Sequence, residues 1–492
     1  MRSMTMMLIA AVLAAGSVRL YPRPTSLSKQ GEAHEVSGSI EALMGRYHEL
    51  GEFNGAVLVV RQGQTLVNRG FGYADYEGKI ANGPETKFLI GSLTKQFTAV
   101  TILKLIEMGR LSLDSTLADA LPYYRKDTGA KVTIRYLLEH TSGIPCFTRT
   151  MRDVQVCPTI KEFILKHCSR DLESEPGVQF RYNNGGYVIL GAVIEQATGL
   201  TYEEVLRHRV LSPLGMNASG LGREGLSMPQ AAKGYQRRGG RVVPVGRVDP
   251  FLAFSAGGMY STVSDLARWE KAFYGDTVLS ATTRALLSSS PSNGYFGGLR
   301  LKRRPVGPDR AERDIVFHGG RIEGFNSLLL RIPLDRIFIV LLNNTDSTRL
   351  ETMAAGLLDI LYGRSPSVPR RSLAEELRIA QKGKGIAAAL PDLRALCLEE
   401  GALSDPEPEE IQLNTFGYEL LGQKRIPDAL AVLTFTAEQF PNSANAYDSL
   451  AEAQAAAGLS EQAISNYEKS LALNPANRNA AEQIQKLRNG KQ

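Results

Sequence analysis

Residues 91–97 read Gly91-Ser92-Leu93-Thr94-Lys95-Gln96-Phe97, and an apolar run at helical spacing follows them: Phe97, Val100, Leu103, Ile106. Gly109 supplies a stop. The pattern predicts a helix with Ser92 and Lys95 three apart on its first turn, pointing to the same side. A serine hydroxyl becomes a nucleophile when a base takes its proton. A lysine held out of water gives up its proton more readily, so it can be that base. A helix N-terminus also favours negative charge developing beside Ser92. Ser-x-x-Lys alone decides little, because Ser26-Leu27-Ser28-Lys29 repeats it in a polar, Pro-flanked leader with no helix behind it.

With 492 residues, more than one core is expected, in two or three domains. An apolar content of 43% and a charged content of 22% are those of an ordinary globular protein. The net charge of +6 is mildly basic, but no Lys/Arg block tracks a phosphate backbone, so nucleic acid is not an expected partner. Arg2, the apolar run over 6–16 and Ala14-Ala15-Gly16 read as a signal peptide over 1–18, which predicts an exported protein, periplasmic or secreted. An uncleaved anchor or a buried helix is the plainer alternative. The run is shorter than the roughly 20 residues a membrane span needs, so no integral span is expected. Of four cysteines, Cys146, Cys157 and Cys168 share one stretch, and a disulfide among them is open. Their spacing matches no zinc signature.

Along the chain, 39–50 reads as a short amphipathic helix, 55–60 as a buried strand, and 65–67 as its return. Helical patterns then dominate to about 214, with a turn-rich loop His140-Thr141-Ser142-Gly143-Ile144-Pro145, a helix over 160–167, a short strand over 178–180, and a helix over 187–198 ended by Gly199. Helices over 263–273 and 352–362 enclose strands over 315–320, 326–330 and 337–342. The last two are too continuously apolar to face water. Strands at both ends and helices between imply an α/β (α+β) architecture: an antiparallel sheet flanked by helices, with a helical subdomain inserted.

Two further motifs offer partners for Ser92. Tyr182-Asn183-Asn184 lies in a loop between a strand and a helix. A tyrosine there can shuttle the proton between nucleophile and leaving group. Asn184 can orient Lys95 and bind a substrate carbonyl. An ordinary turn explains the same residues. His318-Gly319-Gly320 ends an apolar strand, where glycines let a substrate backbone approach and His318 would line the pocket as a hydrogen-bond donor. The backbone N–H groups of Ser92 and Arg321 would form an oxyanion hole. A histidine at a strand edge is the plainer alternative.

Taken together, Ser-x-x-Lys, Tyr-x-Asn and His-x-Gly resemble the motif set of the penicillin-recognising serine hydrolases, in the class C β-lactamase branch. That branch includes β-lactamases, D-alanyl-D-alanine carboxypeptidases, D-aminopeptidases and esterases. The resemblance covers about 39–361. It extends to Leu137-Leu138-Glu139-His140-Thr141-Ser142-Gly143-Ile144, Ser212-Pro213-Leu214-Gly215-Met216 and Ser255-Ala256-Gly257-Gly258-Met259-Tyr260-Ser261-Thr262. It implies a β-lactamase/DD-peptidase-like fold, Ser92 as acylated nucleophile, Lys95 as its base, and Tyr182 as acid/base partner. Asn184, His318 and Gly320 would bind a small-molecule or peptide substrate, with no cofactor or metal. Class C β-lactamases carry Lys where this chain has His318. A neutral histidine suits a carboxylate-bearing lactam less than an ester or peptide, and the substrate stays open.

Beyond a hydrolase domain over 35–365, residues 366–409 read as a linker opened by Ser365-Pro366-Ser367-Val368-Pro369. Over 410–490 a repeat of 34 appears: Leu413 with Tyr447, Ala429 with Ala463, Pro441 with Pro475. It resembles two tetratricopeptide repeats with 477–487 as a capping helix, an all-α unit that would take a protein or peptide partner. The rival to a serine hydrolase is therefore an inactive sensor or scaffold working through those repeats.

Overall fold

The computed structural model describes residues 29–145, 159–222, 228–238, 241–245, 253–287, 293–307, 309–346, 350–367, 369–398 and 406–489. The expected leader, Cys146 and Cys157 lie outside the described residues. Among the described residues no helix is long and apolar enough to cross a membrane.

Seven strands form one antiparallel sheet: β1 Gly55–Arg61, β2 Gln64–Phe71, β3 Tyr295–Phe296, β4 Leu299–Val306, β5 Ala311–Ile322, β6 Phe325–Ile332 and β7 Ile337–Asn343. Their spatial order is β3-β4-β5-β6-β7-β1-β2. The last strand in sequence pairs with the first, from Gly55 opposite Asn343 to Arg61 opposite Ile337. That pairing joins the two ends of the segment and leaves everything between β2 and β3 as an insertion.

Side chains alternate across the sheet. Val57, Val59, Leu328, Leu330, Ile339 and Leu341 pack with Ile40 and Met44 of α1 (Lys29–Glu49) and Leu357 of the helix Leu350–Leu361. On the other face, Ala56, Leu58, Leu329, Val340 and Leu342 share a core with Phe97 of α2 (Thr94–Glu107) and with the inserted helices. Both faces are covered, and every residue of β6 and β7 is buried. This accounts for the apolar runs Leu328–Leu330 in β6 and Ile337–Leu342 in β7.

Three sequence expectations need correction. The first helix begins at Lys29, well before residue 39, over a polar stretch with no apolar period to announce it. Residues 178–180 form no strand. Gly177 takes φ +85°, Val178 is 75% exposed, and the backbone N–H of Gly177 bonds to Thr141 O. The segment is pinned to the His140 loop instead of a ladder. The stretch 366–409 carries two helices, Leu373–Ala380 and Ile386–Cys397, and their Leu373, Leu377, Ile386 and Leu390 share a core with Leu413, Phe416 and Val432. Ser372 caps the first of them by accepting from Glu375 N–H.

Five further helices follow: Pro406–Gly422, Ile426–Gln439, Ala444–Ala456, Ser460–Leu473 and Arg478–Asn489. Residues 34 apart are buried alike, as with Leu413 and Tyr447, Ala429 and Ala463, Leu433 and Tyr467. A Cβ at Gly417 would fall 2.4 Å from Leu433, so two helices approach closely there.

Candidate active site

Gly91–Leu93 form a 3-10 turn that runs directly into α2 at Thr94. Ser92 therefore precedes the α-helix proper, yet Lys95 still reaches back, with Nζ 3.1 Å from Ser92 Oγ. Gly91 takes φ +51°, and a Cβ there would lie 2.7 Å from the amide nitrogen of Arg321. Across the same seam, a Cβ at Gly320 would lie 2.1 Å from Ile90 O. These two glycines let the end of β5 lie against the Ser92 turn, with the Arg321 amide beside the Gly91–Ser92 peptide. Ser327 Oγ fastens the seam by donating to Ile90 O at 2.8 Å.

Lys95 is fully buried. Besides its contact with Ser92 Oγ, Lys95 Nζ donates to Asn184 Oδ1 at 2.7 Å and to Ala256 O at 2.7 Å. Tyr182 OH donates to Ser92 Oγ at 2.9 Å. Asn184 opens α3 (Asn184–Thr198), whose N-cap is Asn183: Asn183 Oδ1 accepts from Gly185 N–H at 2.8 Å, and its Nδ2 donates to Ile144 O at 2.6 Å. The structure thus brings Ser92, Lys95, Tyr182 and Asn184 to one point, and gives the segment 255–262 a role through Ala256 O.

His318 stands beside them but not as the expected donor to substrate. Its Nδ1–H is committed to Gly319 O at 2.6 Å, and Nε2 lies 3.1 Å from Tyr295 OH. Burial, with Lys95 and Arg300 nearby, pushes its pKa down to about 3, so the ring is neutral and Nε2 accepts from Tyr295. The same burial pushes the phenol of Tyr295 well above its ordinary value.

A cavity of 460 Å³ opens over Ser92, lined by Tyr182, His318, Gly320, Arg321, Arg300, Lys302 and Glu351 among others. The pairing of β4 on β5 stops at Arg300 opposite Phe317, so β5 meets the cavity beyond that point. Arg300 places its guanidinium 5.9 Å from the Tyr182 ring and 5.8 Å from the Tyr295 ring. Sequence reading missed Arg300, Tyr295 and His140. The signal for the first two was the glycine-rich hairpin Gly294-Tyr295-Phe296-Gly297-Gly298, which docks on α2. A Cβ at Gly298 would fall 2.5 Å from Gln96 N.

A family model described as Beta-lactamase matches residues 39–362. The chain belongs to the Beta-lactamase family. The match takes in the whole sheet and the inserted helices and ends before the C-terminal helices. Among curated relatives of this β-lactamase-family chain, Protein flp of Staphylococcus aureus (strain COL) is 29% identical over 321 residues, covering 61% of this chain and 62% of flp. The chain thus spans about three fifths of the length of that relative. The octameric penicillin-binding protein homologue from Pyrococcus abyssi is 30% identical, with a TM-score of 0.59 over 67% of this chain and 78% of that one. The D-amino acid amidase from Ochrobactrum anthropi SV3, 24% identical at a TM-score of 0.58 over 66% of this chain and 97% of its own, shares the fold.

Proposed function

We propose that this chain is an exported serine acyl hydrolase of the class C branch, acting on an ester or amide through a Ser92 acyl-enzyme. The observation that carries the reading is the convergence of Lys95 Nζ and Tyr182 OH on Ser92 Oγ, at 3.1 and 2.9 Å. A hydroxyl flanked by two groups able to exchange protons is an activated nucleophile. Ser92 Oγ attacks the substrate carbonyl as its proton passes to Lys95, which acts as the neutral amine with its two N–H groups on Asn184 Oδ1 and Ala256 O and its lone pair facing Ser92. The backbone N–H groups of Ser92 and Arg321 hold the oxyanion. As the tetrahedral intermediate collapses, the leaving group takes a proton through Tyr182. Water, deprotonated by the same pair, then releases the acid and restores Ser92.

The cavity sets Arg300, Lys302 and Arg321 against Glu351. That balance supports a substrate with an anionic group, and it returns through Arg300 a positive charge that His318 does not supply. The D-amino acid amidase and penicillin-binding relatives fit a small acyl or peptide substrate. The C-terminal helices are read as two tetratricopeptide repeats with a cap, open to a peptide or protein partner.

Hydrolysis of p-nitrophenyl butyrate, of an anionic p-nitrophenyl ester such as the hemisuccinate, and of nitrocefin tests this. The ester turnover should vanish in Ser92→Ala. Arg300→Gln should raise KM about tenfold for the anionic ester and leave the neutral one within about twofold. Ester turnover that survives in Ser92→Ala defeats the reading.

A further inference from the structure

Tyr182 belongs to neither helix nor strand, since α3 begins at Asn184. The backbone on either side of it is tied to His140, a residue 2% exposed. His140 takes φ +58°, a left-handed backbone uncommon for a residue with a Cβ. Its carbonyl accepts from Arg181 N–H at 2.8 Å, and its ring Nδ1 accepts from Asn183 N–H at 3.1 Å. The amides on both sides of Tyr182 are therefore bonded to one residue.

An Nδ1 that accepts carries no proton, so the ring is the Nε2–H tautomer. Burial, together with Lys95 of α2 and His318 and Arg300 of the sheet, holds the imidazole neutral, well below its ordinary range. Among the described residues Nε2 makes no hydrogen bond. The ring sits in an aromatic cage, its centroid 4.4 Å from that of Tyr182, 4.5 Å from Tyr295 and 5.1 Å from Tyr187.

We propose that His140 is a positioning residue for Tyr182: by gripping the Arg181 and Asn183 amides it holds the Tyr182 hydroxyl on Ser92 Oγ before substrate arrives. The proposal rests on the acyl-transfer reading of Ser92. Its physical content is that the ring's acceptor atom, not its bulk, sets the rate. A displacement of about 1 Å in an acid/base group costs on the order of a hundredfold in rate.

His140→Leu keeps apolar bulk and the carbonyl bond but removes the acceptor. His140→Asn tolerates the left-handed backbone and offers Oδ1 in place of Nδ1. The measurement is the rate of Ser92 labelling by a fluorophosphonate, with kcat and KM on a p-nitrophenyl ester and Tm for each full-length variant. His140→Leu should lose about a hundredfold in labelling and kcat, with KM within about threefold. His140→Asn should stay within about tenfold of the parent. Equal losses in both variants, a loss confined to KM, or no loss in His140→Leu overturns the proposal. Should His140→Leu fail to fold, a loss beyond about tenfold in folded His140→Asn overturns it alone. Ser92→Ala run in parallel separates the two levels. An enzyme that needs Ser92 but is indifferent to His140→Leu defeats only the positioning role. A parent protein that fluorophosphonate does not label defeats both.

Discussion

Lys95 lies fully buried among three oxygens, those of Ser92, Asn184 and Ala256. Replacing it by methionine keeps the volume but strands the buried carbonyl of Ala256 and the half-buried Oδ1 of Asn184. Lys95→Met should lower kcat for ester hydrolysis by about a thousandfold and stability by about 1–3 kcal/mol, read from initial rates and urea unfolding. A variant within tenfold of the parent would assign the base elsewhere. Ser92, Lys95, Tyr182 and Asn184 could be singled out from sequence because each lies in a short motif whose chemistry needs those residue types. Tyr295 and Arg300 were signalled only by the glycine-rich stretch beside them, and His140 stood in an ordinary turn-rich loop, because its bonds to Arg181 and Asn183 join segments far apart in the chain. The direction of the His318 hydrogen bonds was also hidden, since the Gly319 carbonyl fixes which nitrogen holds the proton.

Among the elements, the hairpin of β3 and β4 is pressed directly on the backbone of α2. Gly298 has φ +78°, and its missing Cβ would stand 2.6 Å from the Lys95 carbonyl carbon and 2.5 Å from Gln96 N. Both are backbone atoms that cannot move without moving α2. Gly298→Ala should cost about 2–4 kcal/mol and depress activity with it, measured by urea unfolding beside ester turnover. An unperturbed variant would show that the hairpin does not brace α2. The cap of α3 is a second case: Asn183→Ala removes bonds to Gly185 N–H and Ile144 O and should cost about 1–2 kcal/mol by the same measurement. The continuous apolar runs of β6 and β7 were legible as buried strands. The segment 178–180 was misread because Val and Phe alternate there without a sheet edge to receive them. The helices within 366–409 were hidden behind the Pro-rich start of that stretch.

Across the whole molecule, protonation of the buried histidines should govern stability in mild acid. Unfolded histidine takes its proton near 6.5, but folded His318 does so only near 3, and His140 is displaced the same way. As pH falls below 6.5 the unfolded chain gains protons that the folded chain refuses, so stability is lost with falling pH. Glu270, raised to about 7 by its burial, works in the opposite sense between about 4.5 and 7. Glu139 is raised like Glu270 and His167 is lowered like the other two histidines, so the three histidines outnumber the two carboxyls and the net effect below pH 6.5 is a loss of stability. Tm should fall from pH 6.5 to 5, and less steeply in His318→Leu. A Tm that rises over that range would contradict the neutral-histidine account. The C-terminal helices give a test by truncation. Leu373, Leu377 and Ile386 pack with Leu413 and Phe416, so a chain ended at 365 should stay monodisperse in size-exclusion chromatography. A chain ended at 409 should aggregate by exposing that face. The reverse result would place residues 366–409 with the hydrolase.

The central claim is covalent chemistry at one hydroxyl, and intact-mass spectrometry of the acid-quenched reaction tests it most directly. Full-length protein mixed with excess p-nitrophenyl butyrate and quenched within a turnover should gain one butyryl group, mapped to the peptide holding Ser92 and lost on further incubation. Ser92→Ala should gain none. An adduct on another residue, or ester turnover with no adduct trapped at any quench time and none on labelling with a fluorophosphonate, would contradict the account.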